Sequence, residues 1–431
     1  MTQQQREAIA GMLRASPFDP AGDLREQRPL FEKMVTAAPV PADVVTTPGQ
    51  LGGVPVIRVD IPGTTTDGVI LYFHGGFFAI GSAAASVGLA SDLARKARMP
   101  VVTVDYRLAP EHPYPAAPDD AMSAYRGLLD SGQDAARVAL AGESAGANLA
   151  VVTLAAIARA DLPRPASAVL MSPWADLAGT GDSIKTKADA DPAITADAVH
   201  VRARDYLGGA DARDPAASPV YARLAGLPPL LIQVGSHEVL LDDAIRLAAR
   251  AARDDVAVVL DVVPGVPHVF QAFAAVLDEG EAALTRAGAF LRQHIAARDT
   301  MTGSAANEAA NKALVLKVLT ELIENRDVSA LDRYYTDSLI QHNPRVPDGT
   351  DELRARVTAN PNLHHQTGMV AADGDIVMVH GRYEGLGPKP MVGVDIYRVE
   401  DGRVAEHWDV LQDEVSPTSS GHPMFTVPGQ G

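Results

Sequence analysis

The sequence contains no cysteine among its 431 residues. Disulfides, thiolate nucleophiles and Cys-ligated zinc or iron–sulfur sites are thereby excluded. Basic charge is also short: 37 Lys and Arg stand against 54 Asp and Glu, a formal net charge of −17. A nucleic-acid binder needs a basic footprint to displace counterions from phosphate, and an anionic membrane surface asks for the same sign, so neither partner is expected. No apolar run is long. The longest, Leu149–Ala158, is broken by Thr153 and falls far short of the ~20 residues of a membrane span. Met1–Ala15 is polar and Gln-rich, without the apolar core of a secretory signal, so a cytoplasmic chain is expected. The rest is an ordinary globular composition, 47% hydrophobic and 21% charged, with length for two or three domains of ~100–200 residues.

Two textures divide the chain. From about residue 68 to 298, short β-branched runs alternate with Ala-rich helical stretches. The runs Val69–Phe73, Val101–Asp105, Val138–Ala141, Ala168–Met171, Leu230–Val234 and Val256–Val263 predict strands buried on both faces. Helices are predicted near 83–98, 118–130, 145–160, 242–254 and 280–298. Such alternation specifies an α/β fold with a parallel sheet. Residues 1–45 and 176–225 lack the pattern and read as a cap over the open end of the sheet, within a first domain of 1–298. The small polar stretch Thr300–Ala306 marks a linker, placed at 299–311. Residues 312–431 then read as a smaller α+β domain. It has a helix with apolar spacing at Val315, Val318, Leu319, Leu322 and Ile323, then strands near 366–371, 376–383, 391–399 and 404–411. Asp401-Gly402 is a hairpin signal between the last two.

Chemistry concentrates around Gly142-Glu143-Ser144-Ala145-Gly146, a G-x-S-x-G motif between a predicted strand and helix, where a nucleophile elbow belongs. An ordinary Gly-rich turn is the alternative reading of the motif alone. Upstream, His74-Gly75-Gly76-Phe77-Phe78 follows the strand Val69–Phe73. The backbone N–H groups of Gly75, Gly76 and Phe77, with that of Ala145, are candidate oxyanion donors. A serine nucleophile needs a base held by an acid. His268 follows the last predicted strand, on the side of the sheet where Ser144 is expected. Glu238 follows the strand Leu230–Val234 and is the candidate acid. Asp242 is the alternative, and with Asp243 it reads as a first-turn residue of the next helix. The expected set is Ser144, His268 and Glu238, working without metal or organic cofactor.

These residues resemble the bacterial hormone-sensitive-lipase-like family of α/β-hydrolases over about residues 1–298. The signatures are Tyr72–Gly76, Asp105–Glu111, Gly142–Gly146, Ser172–Asp176 and Pro267–Phe270. The resemblance implies carboxylesterase activity on short acyl chains, a catalytic triad, and a cap built from the N-terminus and an insertion after Trp174. Three positions depart from the family's common pattern: Phe77 in place of a third glycine, Glu143 in place of Asp, and Glu238 in place of Asp.

Residues 310–425 resemble the SnoaL-like branch of the nuclear transport factor 2-like superfamily, on Gln341–Pro344, Asp395–Gly402 and Glu406–Gln412. The resemblance implies a curved antiparallel sheet wrapped around helices, with a conical pocket, and often dimerisation. His342, His407 and Asp409 are its candidate second site. Strand alternation puts His407 and Asp409 on one face, as either a structural hydrogen-bond network or an acid–base pair. The expected whole is an esterase of small-molecule esters, homodimeric, whose second domain assembles or gates. The alternatives are a bifunctional protein with a lyase or isomerase activity in the second domain, a lactone hydrolase, and a binding protein with a silent hydrolase site.

Overall fold

A computed structural model describes residues 2–62, 64 and 68–427, and for residue 2 and residues 296–306 the backbone alone. The chain divides into two units, Met1–Arg298 and Asp299–Gly431.

The first unit is built on an eight-stranded sheet. Its strands are β1 (Val45–Leu51), β2 (Val54–Asp60), β3 (Val69–Phe73), β4 (Val101–Val104), β5 (Val138–Glu143), β6 (Ser167–Met171), β7 (Leu230–Gly235) and β8 (Val258–Val263), in the spatial order β1-β2-β4-β3-β5-β6-β7-β8. From β4 through β8 every pairing is parallel. All six predicted strands are present to within two residues. The hairpin of β1 and β2 was not expected. It pairs antiparallel and adds to β4. β1 contains Pro48 and Gly49, which the sheet tolerates at its edge.

Between the strands run α3 (Val87–Ala97), α4 (Ala116–Asp130), α5 (Ala145–Arg159) and α8 (Leu241–Arg253), and after β8 comes α9 (Asp278–Leu319). Side chains alternate across the sheet. Leu71 and Phe73 join one core with Leu140, Leu149 and Ile232. Ile70 and Tyr72 join another with Leu93, Leu284 and Leu291. The expected linker at 299–311 falls within the bounds of α9.

The elements of the expected cap include no strand among the described residues 2–44 and 176–225. They are α1 (Thr2–Arg14), α2 (Leu24–Val35), and, in the insertion after β6, α6 (Ser183–Thr186) and α7 (Ala196–Leu207). Arginines tie these segments down. Arg202 of α7 donates to the carbonyls of Pro20 and Gly22. Arg28 of α2 donates to the carbonyls of Ala79 and Ala109 at 2.8 and 2.9 Å and pairs with Glu111. The stretch Asp105–Glu111 thus serves as scaffold: Asp105 accepts the Ala83 N–H, and Arg107 pairs with Asp120.

In the second unit, α10 (Ala330–Tyr334), β9 (Tyr335–Gln341), α11 (Asp351–Ala359), β10 (His364–Asp373), β11 (Ile376–Glu384), β12 (Met391–Glu400) and β13 (Arg403–Asp413) follow the last part of α9. The sheet order is β10-β11-β12-β13-β9, antiparallel except for the β13/β9 pair. Val315, Val318, Leu319, Leu322 and Ile323 are buried against this sheet as their spacing predicts. Asp401 and Gly402 both take positive φ, 47° and 73°, as a tight hairpin requires.

A Cβ on Gly146 would collide with the Phe73 carbonyl oxygen, so the first turn of α5 sits against β3 only because that residue is glycine. Gly146→Ala is expected to cost about 3 kcal/mol as an overpacking substitution, read as a lower urea midpoint. His74, after β3, is fully enclosed: its ring stacks on Tyr106 at 4.2 Å, and burial lowers its pKa to about 4. The unfolded chain takes up a proton near pH 6.5 that the folded chain refuses until about 4. The group's contribution to stability is therefore lost as pH falls through that window, by up to about 3 kcal/mol. The difference in stability between wild type and His74→Gln, measured from pH 7 to 4.5, should change by that order.

Candidate active site

Parallel pairing puts the carboxyl ends of β3, β5, β6 and β7 on one edge. Phe73 pairs with Gly142, Glu143 with Met171, and Met171 with Gln233. The loops that leave this edge carry His74–Phe78, Ser144, Ser172 and Glu238, and His268 follows β8 beside them.

Ser144 is the turn between β5 and α5. Its φ of 55° and ψ of −120° lie where side-chain-bearing residues rarely go, at a cost of about 1–3 kcal/mol. The surroundings hold it there. Its N–H donates to Met171 O at 2.9 Å, and its carbonyl accepts from Trp174 and Asn148 N–H at 3.1 and 3.2 Å. Phe77, Phe78, Ser172 and Val269 also have positive φ, at 58°, 60°, 47° and 49°. Half of the ten such non-glycine residues among the described residues are therefore in these loops, and backbone strain of this kind gathers where function fixes geometry.

His268 and Glu238 meet. Nδ1 of His268 lies 2.7 Å from Glu238 Oε2, in a pair whose side chains are 9% and 0% exposed. The other carboxylate oxygen accepts from the Gly235 N–H at 2.5 Å and from the Ser172 hydroxyl at 3.0 Å. Ser172 Oγ in turn accepts the Val269 N–H at 3.1 Å, so one serine links the acid to the residue after the histidine. Ser172 lies in the Ser172–Asp176 signature, and nothing local in the sequence marks it as a partner of the acid. Asp242 and Asp243 are engaged elsewhere. Asp242 accepts the Ser183 N–H at 2.8 Å, and Asp243 accepts the N–H groups of Ala175 and Asp176, both at 2.8 Å. Asp191, in the insertion, accepts the Val239 N–H at 2.8 Å and moors the insertion to the loop that bears Glu238.

The candidate oxyanion donors separate into two groups. Gly75 N–H is taken: it donates to Glu143 Oε1 at 2.8 Å. Of the four candidates it is the one already bonded, because the Glu143 carboxylate reaches back to the loop. Gly76 and Phe77 have N–H groups without an acceptor among the described residues. Ala145 opens α5, so its N–H has no partner one turn back. Phe77 is 5% exposed, and its ring meets Trp174 edge to face at 5.4 Å. Phe78 stacks on Tyr206 of α7 at 3.8 Å.

In the second unit, His407 and Asp409 share the inner face of β13, as alternation predicts. They meet Asp395 of β12, which the sequence reading missed because it comes from the neighbouring strand. His407 Nε2 lies 3.3 Å from Asp395 Oδ1, the Tyr383 hydroxyl donates to Asp395 Oδ2 at 2.7 Å, and Asn343 donates to Asp409 at 2.6 Å. Asp395, His407 and Asp409 offer ligand atoms within 4.8 Å of one another and are the one group among the described residues able to hold a metal ion. His342 does not belong with them. It pairs with Glu406 at 2.7 Å and stacks on Trp408 at 4.6 Å. Both partners lie on the opposite face of β13, because they alternate with His407 and Asp409.

Residues 70–272 match the alpha/beta hydrolase fold, and residues 316–407 match a SnoaL-like domain. An acetyl-hydrolase of Streptomyces hygroscopicus is 47% identical over 223 residues, 52% of this chain and 75% of that one. An esterase of Acinetobacter venetianus is 35% identical over 258 residues, 60% and 85% of the two chains. Among solved structures, an esterase from the bacterial hormone-sensitive lipase family is 43% identical, with a TM-score of 0.66 over 68% of this chain and 98% of that one. The esterase EstE5, soaked with p-nitrophenyl butyrate, is 39% identical, with a TM-score of 0.65 over 68% and 99%. An elbow serine, a buried His–Glu pair and these relatives agree: the chain belongs to the alpha/beta-hydrolase fold family, among the esterases related to hormone-sensitive lipase, and carries a SnoaL-like domain behind it.

Proposed function

We propose that this carboxylic ester hydrolase cleaves short-chain acyl esters by an acyl-enzyme route, with Ser144 as nucleophile, His268 as base and Glu238 as the acid that orients the base. The observation that carries the reading is the 2.7 Å bond between His268 Nδ1 and Glu238 Oε2 beside the loop that bears Ser144. It commits Nδ1 to the carboxylate and leaves Nε2 to work on a hydroxyl. In the first step His268 takes the Ser144 Oγ proton while Oγ bonds to the ester carbonyl carbon. The carbonyl oxygen becomes an oxyanion received by the amides of Gly76, Phe77 and Ala145. The C–O bond to the alcohol then breaks, and His268 returns the proton to the leaving oxygen. A water deprotonated by His268 attacks the acyl-enzyme, releasing the carboxylic acid and restoring Ser144. The acetyl-hydrolase relative and the p-nitrophenyl butyrate soak of EstE5 support a small acyl group, and the closely packed Phe77–Trp174 pair is consistent with one.

The C-terminal domain pairs two chains in this reading. On the outer face of its sheet, Met378, Ile396 and Trp408 align across three strands, and Val394 pairs with Val410. Val410, Ile340 and Met378 are 72%, 47% and 43% exposed. Exposed apolar side chains gathered on one sheet face are where a partner chain would pack.

Ser144→Ala is expected to lower kcat on p-nitrophenyl acetate by about 10⁴-fold or more; retained turnover would place the nucleophile elsewhere. Val410→Glu is expected to convert a dimer to a monomer in size-exclusion chromatography with light scattering. A wild-type chain that is monomeric at micromolar concentration would remove the assembly role.

A further inference from the structure

Glu143 is the last residue of β5 and precedes the elbow serine. The residue is half-buried, and both carboxylate oxygens are engaged by protein. Oε1 accepts the Gly75 N–H at 2.8 Å, and Oε2 accepts the Tyr72 hydroxyl. The Gly75 backbone also lies against the elbow: a Cβ there would stand 3.2 Å from Ser144 Cβ and 3.1 Å from the Glu143 carbonyl oxygen. On its other side, Gly75 is held by His74, whose Nδ1 donates to the Gly75 carbonyl at 2.7 Å. The Tyr106 hydroxyl fixes the preceding carbonyl, that of His74, at 2.7 Å.

Peptide planarity turns these contacts into a statement about the next amide. The Gly75 carbonyl and the Gly76 N–H belong to one rigid trans unit and point in opposite directions. Once Glu143 grips the Gly75 N–H and His74 grips its oxygen, the direction of the Gly76 N–H is fixed as well. Phe77 follows in a tight turn, where Gly76 O accepts from Ala79 and Ile80 N–H at 3.0 and 2.8 Å. Nothing in the chemistry of ester cleavage needs a carboxylate at 143, and the side chain donates no proton to a reacting atom.

We propose that Glu143 is a positioning residue of the reaction: by holding the Gly75 amide against the elbow, it aims the Gly76 and Phe77 amides at the oxyanion that forms on Ser144 attack. This inference rests on the Ser144 reading above. Burial pushes the Glu143 carboxyl up to about 7, partly offset by Tyr72, Gly75 and the facing His268. The surrounding protein therefore resists the charge, and the hydrogen bonds from Tyr72 and Gly75 oppose that resistance.

The test compares Glu143→Leu, which removes the acceptor at similar size, with Glu143→Gln, which keeps an oxygen for the Gly75 N–H. Glu143→Leu is expected to lower kcat on p-nitrophenyl acetate about 30-fold with KM within about twofold, a fraction of the ~10²–10³ cost of deleting an oxyanion donor. Binding of a boronic acid that mimics the tetrahedral state should weaken in parallel. Glu143→Gln should restore kcat to within about threefold of wild type. A Glu143→Leu protein with wild-type kcat and boronate affinity, or one that loses only thermal stability, overturns the proposal. If Glu143→Leu does not fold, Tyr72→Phe removes the other hold on the same carboxylate and should lower kcat several-fold at unchanged KM; unchanged kcat there overturns the proposal as well. Ser144→Ala, assayed alongside, separates the two readings. An inactive Ser144→Ala beside a fully active Glu143→Leu sinks only the positioning role, whereas an active Ser144→Ala sinks the nucleophile assignment on which it stands.

Discussion

The first domain is organised around one costly backbone conformation, that of Ser144. A residue with a side chain avoids positive φ, and the turn from β5 into α5 exists only because its neighbours make room for it. Gly142 and Gly146 have no Cβ where the returning helix crosses β3 and its own strand. The amides and carbonyls on both sides of the turn are bonded to the ends of β6 and its loop. Because β3, β5, β6 and β7 are parallel and adjacent, the same edge presents the loops bearing His74–Phe78, Ser172 and Glu238. The sheet supplies the rigidity, and the loops it projects carry the chemistry.

Legibility followed the range of the information. The strands of the parallel sheet could be read because burial on both faces leaves short runs such as Val69–Phe73. The places of Ser144, Glu238 and His268 after β5, β7 and β8 could be read, and so could the meeting of the last two. What could not be read depended on partners distant in sequence. The spacing of His74-Gly75-Gly76-Phe77 marks a close backbone approach but does not say that the Gly75 amide is committed to Glu143. Ser172 looks like any small residue before proline until its hydroxyl is seen between Glu238 and Val269. In the second domain, alternation placed His407 and Asp409 together correctly. The same alternation, carried across the β13/β9 pairing, puts His342 with Glu406 and Trp408 instead. β1 escaped notice because an exposed edge strand with proline and glycine leaves no hydrophobic signature.

The segments expected to form a cap are moored by polar contacts as well as apolar packing. Arg202, Arg28 and Asp191 each bridge a cap segment to another part of the unit through backbone groups. Arg28 reaches the Ala79 carbonyl at the end of the loop that begins with His74, and Asp191 reaches the first turn after Glu238. Backbone partners constrain position without specifying a side chain, so the cap surface can vary in sequence while its attachment points stay where they are.

Phe78 adds a stricter coupling. Its ring lies face to face with Tyr206 of α7, one residue beyond an amide that faces the reacting carbonyl in the proposed mechanism. A shift of α7 would therefore be passed directly to the loop that carries that amide. A lineage that repacks α7 would, if that mechanism holds, alter its turnover number along with its fold stability, and the two traits would be inherited as one.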